Sequence, residues 1–519
     1  MRRMKKLASV VKSFAIAGID AYVVNIESDT IYGQPSVTIV GLGDAAIKEA
    51  RQRLEAAINH ENYDFPKMKV VINLAPGDIK KSGSHFDLGM AIGLLIQTKQ
   101  IVVNEINTFG FIGELSLNGE LRPCSGILPM AIEAKKRGIN NLIVPIDNLQ
   151  EASLVSGINI FAFETLTDVV KFLEDTAVYN NSLDGYKDNH KISRDYLLDF
   201  EDVQGQDSVI EYIVVSAAGG HNIIMSGSPG CGKSMIAKRI PTILPTMTER
   251  EALEVTKIYS VAGLLKNKGN LITERPFRAP HHNVSMNALI GGGNNAMPGE
   301  ISLAHNGVLF LDEIAEFSKR TLDALRQPME DGIVTVSRVK YTNTYPANFM
   351  VVAAMNPCPC GYYGDSRCKC TDYEILKYRQ KISGPILDRI DIQKYAQPVD
   401  FMELSNYPNG KSSKELREKV EKARFIQVKR FRRLDKINCN AEMTPAMIKK
   451  FCILDEDCSK LIQLAYERFR FSARSYHKYL KVARTFADMD GSQKIRKEDV
   501  VKALMSRDLD KEQADMIVV

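Results

Sequence analysis

Eight residues of this chain have the types and spacing of a phosphate-binding loop. The segment GSPGCGKS satisfies the pattern G-x-x-x-x-G-K-[ST] and lies between an apolar run and an amphipathic one. In such loops the glycines let backbone N–H groups surround phosphates, and the following helix adds the positive end of its dipole. The lysine is expected to reach the β- and γ-phosphates, and the last hydroxyl to bind Mg²⁺. The predicted nucleotide-contacting residues are Gly227, Ser228, Pro229, Gly230, Cys231, Gly232, Lys233 and Ser234.

An acidic pair ends a second apolar run, GVLFLDE. The pattern predicts a buried strand whose acidic end faces a ligand. We expect Asp312 to hold Mg²⁺ through water and Glu313 to act as general base for the attacking water. In the alternative interpretation, Asp312 caps a helix and Glu313 is a solvated residue of its first turn. The presence of the phosphate-binding loop favours the first interpretation.

Two polar residues further along the chain could complete a hydrolytic site. Asn356 closes the run FMVVAAMN, where its amide could orient the lytic water between the two motifs described above. Arg389, in SGPILDRIDI, lies beside Asp388 and Asp391. It could pair locally with those carboxylates, or reach the γ-phosphate of a neighbouring subunit as an arginine finger. The spacing does not decide between these two roles.

Four cysteines lie directly after Asn356 with the spacing C-x-C-x₇-C-x-C. They are Cys358, Cys360, Cys368 and Cys370. Two close pairs across a short glycine-containing loop can bring four thiolates around one ion, and four sulfurs in a tetrahedral arrangement suit zinc. Free structural thiols, a redox pair and an iron–sulfur cluster are the competing interpretations, because C-x-C is tighter than the commoner C-x₂-C. Paired cysteines in a cytosolic protein favour a structural zinc ion.

Three blocks of different pattern must position these residues. Residues 1–175 alternate β-like runs with helical ones, and the Asn- and Asp-rich residues 176–197 are predicted to be a linker. Residues 198–400 form an α/β block that contains the phosphate-binding loop, the acidic pair and a four-cysteine insertion at 357–371. Residues 401–519 are predicted to be helical. The predicted fold class is therefore α/β with an added helical domain.

The composition favours a globular protein of the cytoplasm. Of the 519 residues, 45% are hydrophobic and 25% are charged, and no apolar run reaches membrane-spanning length. Nine cysteines, an odd number, argue against a secreted disulfide scaffold. The start of the chain is basic and then apolar, but Lys12 interrupts the apolar part. We therefore predict a strand there instead of an export signal.

Six segments carry a resemblance to a known family over nearly the whole chain. They are DVQGQDSVIEYIVVSAAGGHNIIMSGSPGCGKSMIAKRIP, RPFRAPHHNVSMNALIGGG, PGEISLAHNGVLFLDEIAEF, AAMNPCPCG, SGPILDRIDI and SARSYHKYLKVARTFADM. Together they resemble the ComM/YifB family of Mg-chelatase-like AAA+ ATPases. The resemblance implies an AAA+ core with a helix-2 insert, a C-terminal helical lid, ATP with Mg²⁺, and a homo-oligomeric ring, expected to be a hexamer. It also implies that Asn356 is sensor 1, Arg389 the arginine finger and Arg474 the sensor 2 arginine. Val203 and Gln206 match the segment that lines the adenine.

Two hairpin-like insertions are expected from the same resemblance. One is RPFRAPHHNVSMNALIGGGNNAMPGE, and the other is GIVTVSRVKYTNTYPANF, with Arg338 and Lys340 near its turn. In a ring such hairpins point into the central channel, where basic tips would hold the phosphate backbone of DNA. A further basic segment, Lys411 to Lys436, has eleven Lys or Arg against four Asp or Glu. In both places the charges could equally be ordinary solvated side chains.

The first block resembles the proteolytic domain of Lon, an α+β fold of the ribosomal protein S5 domain 2 type. A Lon-type site needs a nucleophilic Ser and a Lys base in two separate turns. Alignment of KSGSHFDL places His85 at the nucleophile, and alignment of CSGILP places Leu128 at the base. Leu128 cannot accept a proton. We therefore expect the fold without its proteolytic chemistry, used for DNA or partner contact.

The leading functional hypothesis is an ATP-driven motor that acts on single-stranded or branched DNA. The ComM branch of the family is associated with branch migration during recombination in natural transformation, so recombination proteins are possible partners. One alternative is a metal-insertion motor like that of magnesium chelatase, although this chain has no integrin-like partner domain. Another is a regulatory ATPase that remodels a protein partner.

Overall fold

The chain is built around two separate β-sheets, seen in a computed structural model that describes residues 8–175, 197–265, 270–293, 296–338, 341–398, 410–434, 437–469 and 471–509. Nearly all of the predicted linker, 176–196, lies outside the described residues. Among the helices of the described ranges, none is long and apolar enough to cross a membrane. The first sheet lies in the first block of the chain, and the second sheet contains the strands that lead into the predicted nucleotide-binding residues.

The first sheet has seven strands in the order β3-β4-β2-β1-β5-β8-β9. Strands β1 and β2, and likewise β2 and β4, pair antiparallel, whereas the other neighbours are parallel. The predicted strand at the start of the chain is confirmed as β1. Strands β6 and β7 pair with each other outside this sheet. The strands of this part of the chain are β1 Ser9–Ala17, β2 Asp20–Ile31, β3 Ser36–Val40, β4 Lys69–Ala75, β5 Phe109–Phe111, β6 Glu114–Leu115, β7 Leu121–Arg122, β8 Asn141–Pro145 and β9 Asn159–Phe163.

Five α-helices accompany this sheet. The first begins where the Asp44 side chain accepts the Ile47 N–H at 3.1 Å, which satisfies one of the free donors of the first turn. The second, DLGMAIGLLIQ, is buried almost all round because it packs between the sheet and the first helix. The helices are α1 Ala45–His60, α2 Asp87–Gln97, α3 Ile127–Lys136, α4 Leu149–Ala152 and α5 Leu166–Glu174.

The second sheet is parallel and has five strands in the order β11-β14-β17-β10-β18. Its central strands are wholly buried, which is typical of a parallel sheet covered by helices. Their carboxyl ends meet at one edge, where ligands bind in such folds. The strands of this part of the chain are β10 Ile223–Gly227, β11 Phe277–Arg278, β12 Gly291–Gly292, β13 Met297–Pro298, β14 Val308–Leu311, β15 Ile333–Arg338, β16 Tyr341–Pro346, β17 Met350–Met355 and β18 Ile392–Ala396.

The helices of the second block surround this sheet, and two hairpins extend from it. Strands β12 and β13 form a short antiparallel pair, and β15 and β16 form a longer one. The helices are α6 Asp207–Gly219, α7 Lys233–Ile243, α8 Glu249–Val261, α9 Met286–Ile290, α10 Glu300–Leu303, α11 Lys319–Asp323, α12 Arg326–Asp331, α13 Asp372–Arg379 and α14 Gly384–Leu387.

The last block is helical, as the periodicity predicts. Its longest helices share one hydrophobic core with the second sheet, through residues such as Phe431, Val482 and Phe486. The helical block is therefore packed on the second sheet by burial of apolar surface. The helices are α15 Ser413–Phe431, α16 Pro445–Phe451, α17 Glu456–Phe469, α18 Ala473–Met489 and α19 Lys497–Leu504.

Helix α8 of the second block contacts the first domain. The Ser260 hydroxyl donates to the Glu151 carboxylate at 2.5 Å, and the Ser260 carbonyl accepts the Gly126 N–H at 3.1 Å. Lys257 pairs with Asp20 at 2.9 Å. The first block is thus attached to the second by direct polar contacts.

Candidate nucleotide site and four-cysteine cluster

The predicted phosphate-binding loop joins the end of β10 to the start of α7, as the sequence predicts. A Cβ atom at Gly227 would lie 2.3 Å from the Ala396 carbonyl oxygen, so only glycine fits there. Gly230 and Gly232 have φ values of 85° and 88°, which L side chains rarely adopt. These glycines allow the tight turn that aims backbone N–H groups at a phosphate.

Lys233 is the first residue of α7 and is buried, and its side chain folds back onto this loop. Its Nζ atom donates to the carbonyls of Gly227 at 2.6 Å and Ser228 at 3.0 Å. The same atom lies 3.5 Å from the Asn356 side-chain oxygen, at the end of neighbouring strand β17. The structure thus brings the predicted lysine and the predicted sensor 1 residue together.

The predicted magnesium ligands also meet. The Ser234 hydroxyl donates to one Asp312 carboxylate oxygen at 2.8 Å, and the other oxygen accepts the Glu313 N–H at 3.0 Å. A carboxylate and a hydroxyl at this spacing are hard oxygen ligands of the kind that Mg²⁺ takes beside nucleotide phosphates. The residues present fit this cation.

Glu313 has an unusual backbone for a non-glycine residue, with φ 50° and ψ 47°. Such left-handed residues concentrate at functional sites. Its carboxylate is about half exposed and lies 3.7 Å from His282 Nδ1. His282 is the second of two adjacent histidines in the segment APHHN. The structure places it against the predicted general base.

The residues predicted to line the adenine lie next to the loop. Val203 is buried, and the buried Gln206 amide donates to the carbonyls of Cys231 at 3.3 Å and Gln397 at 2.6 Å. Gln206 therefore ties the segment before α6 to the phosphate-binding loop and to the end of β18.

The two predicted arginines lie elsewhere, and together. Arg389 forms an ion pair with Glu330, and Arg474 donates to the other oxygen of the same carboxylate at 3.2 Å. Arg389 therefore pairs with neither Asp388 nor Asp391, the carboxylates that the local alternative requires. In the described part of the chain, neither arginine hydrogen-bonds to the phosphate-binding loop.

The second predicted hairpin is confirmed as β15 and β16, with Arg338 opposite Tyr341. Its inner face is buried through Val334, Val336 and Tyr345, and the Tyr345 hydroxyl donates to the Ala296 carbonyl at 2.8 Å. Lys340 lies outside the described residues, as does the side chain of Arg338.

The first predicted hairpin is much shorter than expected. Its opening residues Phe277 and Arg278 form β11, which pairs with β14 as the edge strand of the core sheet. Among the described residues of this segment, 275–293 and 296–300, the pairing as a hairpin is limited to Gly291–Gly292 with Met297–Pro298. The long loop of the prediction instead contains helix α9, which the side chain of Ser285 caps.

Part of the basic segment has a structural role. Arg424 donates to the carbonyls of Ala217 and Ala218 at 2.9 and 3.1 Å, and Arg430 pairs with the buried Asp488. These two arginines attach α15 to the core and to α18. They are therefore poor candidates for DNA contact.

The four cysteines converge, as their spacing predicts. The Cys358 sulfur lies 3.4 Å from that of Cys360 and 3.9 Å from that of Cys368, and all four sulfurs lie within 4.8 Å of one another. A tetrahedral zinc site with bonds of about 2.3 Å has sulfurs about 3.8 Å apart. Backbone N–H groups of Lys369 and Tyr362 lower the pKa of the Cys360 thiol, whereas desolvation and the neighbouring sulfurs raise the pKa values of the Cys368 and Cys370 thiols. A bound cation would favour the thiolate form of these residues.

The cysteine loop contacts the phosphate-binding loop. Gly361 has φ 85°, and a Cβ atom there would lie 2.7 Å from Cδ and 2.9 Å from Cγ of Pro229. The same position is 3.9 Å from Asn356. The backbone of the cysteine loop therefore packs directly on the nucleotide site.

In the first domain, the two positions aligned with the Lon chemistry are buried. His85 bonds the Phe14 carbonyl through Nε2 at 2.9 Å, and Leu128 is fully buried. Because a carbonyl only accepts, Nε2 carries the hydrogen. The nearby Ser84 hydroxyl bonds Glu114, and the Lys81 ammonium bonds the Pro76 carbonyl.

Comparison with known proteins agrees with this geometry. The family described as "Magnesium chelatase, subunit ChlI" matches residues 199–404, "Subunit ChlI of Mg-chelatase" matches 26–148, and the ChlI C-terminal family matches 410–507. "Competence protein ComM" of Haemophilus influenzae is 39% identical over 96% of both chains. "Uncharacterized protein YifB" of Escherichia coli is 39% identical over 97% of both chains. "Lon protease 2" of Bacillus subtilis is 35% identical over 18% of this chain and 17% of its own.

The fold and the site define a Mg-chelatase-like AAA+ ATPase, with ATP and Mg²⁺ implied as its substrate and cofactor. The full-length similarity then fixes the family. The chain belongs to the ComM/YifB family.

Sequence reasoning did not single out three residues that contact predicted functional residues: His282, Glu330 and Gly361. Each makes its contact with a residue distant in sequence, His282 with Glu313, Glu330 with Arg389 and Gly361 with Pro229. The only sequence signal was an unusual local pattern, such as the pair of adjacent histidines in APHHN, and it did not identify the residue that each one contacts.

Proposed function

We propose that the chain is a ring-forming ATPase motor that acts on DNA, most specifically a helicase that promotes branch migration during recombination. The proposal rests on one observation: the residues predicted to bind phosphate and magnesium lie together, whereas the predicted arginine finger does not contact them. Lys233 contacts Asn356 and Ser234 contacts Asp312, whereas Arg389 pairs with Glu330 and not with the phosphate-binding loop. We assign Arg389 to the γ-phosphate of a neighbouring subunit. The chain is similar over nearly its full length to "Competence protein ComM". The family resemblance described above associates the ComM branch with DNA, and on that basis we assign DNA as the polymer on which the motor acts.

The proposed roles follow from chemistry. Bound Mg²⁺ would neutralise charge on the β- and γ-phosphates. Lys233 and the loop N–H groups bind the phosphates, Ser234 and Asp312 hold the cation, and Asn356 orients water. Glu313 takes the proton of the attacking water once its carboxylate turns from His282 into the site. Arg389, and with it Arg474, supplies positive charge to the transition state of the neighbouring site.

The DNA proposal is tested with Glu313→Gln. Loss of the general base should lower ATP turnover by roughly 10²-fold or more while ATP and DNA binding persist. The variant should therefore hold a branched DNA in an ATP-dependent complex that the parent releases. A variant that binds ATP but never retains DNA at low salt, where phosphate contacts are strongest, contradicts the DNA proposal.

The matches to ChlI families favour one second candidate, a motor for metal insertion. Such a motor would act on a protein partner and not on DNA. Pull-down from cell extract with nuclease treatment distinguishes the two, because a protein partner survives the nuclease and a DNA-mediated contact does not.

We also propose that the four cysteines hold a structural zinc ion. Protein purified without chelator should carry one zinc per chain, and the double variant Cys358→Ser with Cys360→Ser should lose it. Cys124→Ser, a cysteine outside the cluster, is the matched control and should keep the metal. Parent protein without zinc would contradict the assignment.

A further inference from the structure

Glu330 is the residue through which the two predicted arginines meet. It lies in helix α12, its Oε2 atom pairs with Arg389, and its Oε1 atom accepts Arg474 Nη2 at 3.2 Å. Arg389 follows α14 of the core, whereas Arg474 is in the first turn of lid helix α18. One carboxylate thus bridges the ATPase core and the lid.

The bridge holds the two guanidiniums side by side. Both are hydrogen-bonded to oxygens of one carboxylate, so they are only a few ångströms apart and present their charges in one place. Arg389 is further fixed by donating to the Pro385 carbonyl at 2.7 Å, and its side chain is 15% exposed. Two adjacent cations of this kind would repel each other without a shared anion.

The contacts of Glu330 with the two arginines are exposed enough for another anion to replace its carboxylate. The Glu330 side chain is 51% exposed and that of Arg474 is 49% exposed. Ion pairs of this exposure are weak, and a γ-phosphate offers more charge and more acceptor oxygens than a carboxylate. An incoming triphosphate can therefore replace Glu330 at both guanidiniums.

We propose that Glu330 is a positioning residue that stands in for the γ-phosphate of the neighbouring subunit's ATP. It keeps Arg389 and Arg474 together in one place and is displaced when that nucleotide arrives. This inference rests on the proposed ring ATPase, because it requires that the arginines act between subunits. Glu330 competes with ATP for the arginines, so its charge lowers the fraction of subunits that are ready to complete a neighbouring site.

The test is Glu330→Gln in the assembled, full-length protein. The neutral amide binds the arginines more weakly than the carboxylate does. More subunits then have arginines free to bind the ATP of a neighbouring subunit, so the apparent KM for ATP should fall by about three- to tenfold. The kcat should stay within about twofold, because the arginines that reach the transition state are unchanged. The matched control is Glu316→Gln, which breaks a half-exposed pair with Lys381 at 3.1 Å and should leave KM unchanged.

Glu330→Asp provides a second readout if the glutamine variant folds poorly. It keeps the charge but is one methylene too short to reach both arginines, so KM should fall less than in Glu330→Gln. A KM equal to that of the parent in both variants, or a fall in kcat alone, overturns the inference. A different variant tests the ring proposal itself. If Arg389 does not act between subunits, Arg389→Ala should hydrolyse ATP as fast as the parent, whatever the Glu330 variants do.

Discussion

His85 shows at the scale of one residue how burial sets the protonation state of a side chain. It occupies the place of a nucleophile in the resemblance to Lon, yet it is buried and bonded to the Phe14 carbonyl. Burial lowers the pKa of His85 to about 4, because the charged imidazolium would lose its hydration. The residue therefore stays neutral and packs the first domain.

This burial has a consequence for stability against pH. The unfolded chain binds a proton at His85 near pH 6.5, whereas the folded chain does so only near pH 4. As pH falls from 6.5 to 4, the unfolded state gains the proton first, so the free energy of unfolding decreases. The difference of about 2.5 units limits the loss to roughly 3 kcal/mol.

His85→Gln should remove this part of the pH dependence, since the amide can still donate to Phe14 and does not titrate. Urea unfolding followed by circular dichroism at pH 7 and pH 4.5 measures the difference, with the exposed His60→Gln as control. Equal losses of stability in the parent and in His85→Gln would show that His85 is not buried in its neutral form.

At the scale of elements, the loop that contains the cysteines is expected to support the phosphate-binding loop. Gly361→Ala would place a methyl group 2.7 Å from Pro229 Cδ and so push the two loops apart. We expect the KM for ATP to rise by roughly five- to tenfold, as for a misplaced binding loop. Steady-state kinetics at varied ATP concentration measure this effect.

Gly364→Ala is a close control for that experiment. Gly364 has φ 87°, so alanine incurs the same backbone strain, but no atom lies within 4 Å of its added methyl group. It should lose about 1 kcal/mol of stability and keep the parent KM. Equal KM values in the two variants would mean that the contact with Pro229 does not matter for ATP.

The sequence predicted the elements that depend on local pattern. The apolar runs became strands β10, β14 and β17, and the polar residues after them met because parallel strands end at one edge. It failed at β11, whose two residues are a strand only because they pair with β14 about thirty residues later. It also did not find Glu330, because an acidic residue in a short helix has no local signal for distant arginines.

At the scale of the whole molecule, Arg389 pairs with Glu330 and not with the phosphate-binding loop, which favours active sites between subunits. In a ring, each site then combines the phosphate-binding loop of one copy with the arginine of the next. Lys233→Ala and Arg389→Ala should each be inactive alone. Mixed at equal amounts, they should recover about a quarter of the parent ATPase rate, since one interface in about four has both intact groups.

The mixture can recover ATPase activity only if the two variants exchange subunits. Fluorescently labelled copies of the two variants can measure that exchange. If exchange occurs and the mixed protein stays inactive, Arg389 does not act across a subunit interface. If Arg389→Ala alone keeps the parent rate, Arg389 has no role in hydrolysis.

The rate of ATP hydrolysis against a panel of DNA structures tests most directly whether this protein is an ATPase motor that acts on DNA. Duplex, single-stranded and branched DNA would be compared at low salt, with Lys233→Ala as the control for contaminating activity. We expect single-stranded or branched DNA to raise turnover several-fold in the parent and not in the control. A parent that hydrolyses ATP at the same rate with and without every DNA, and binds none of them, would contradict it.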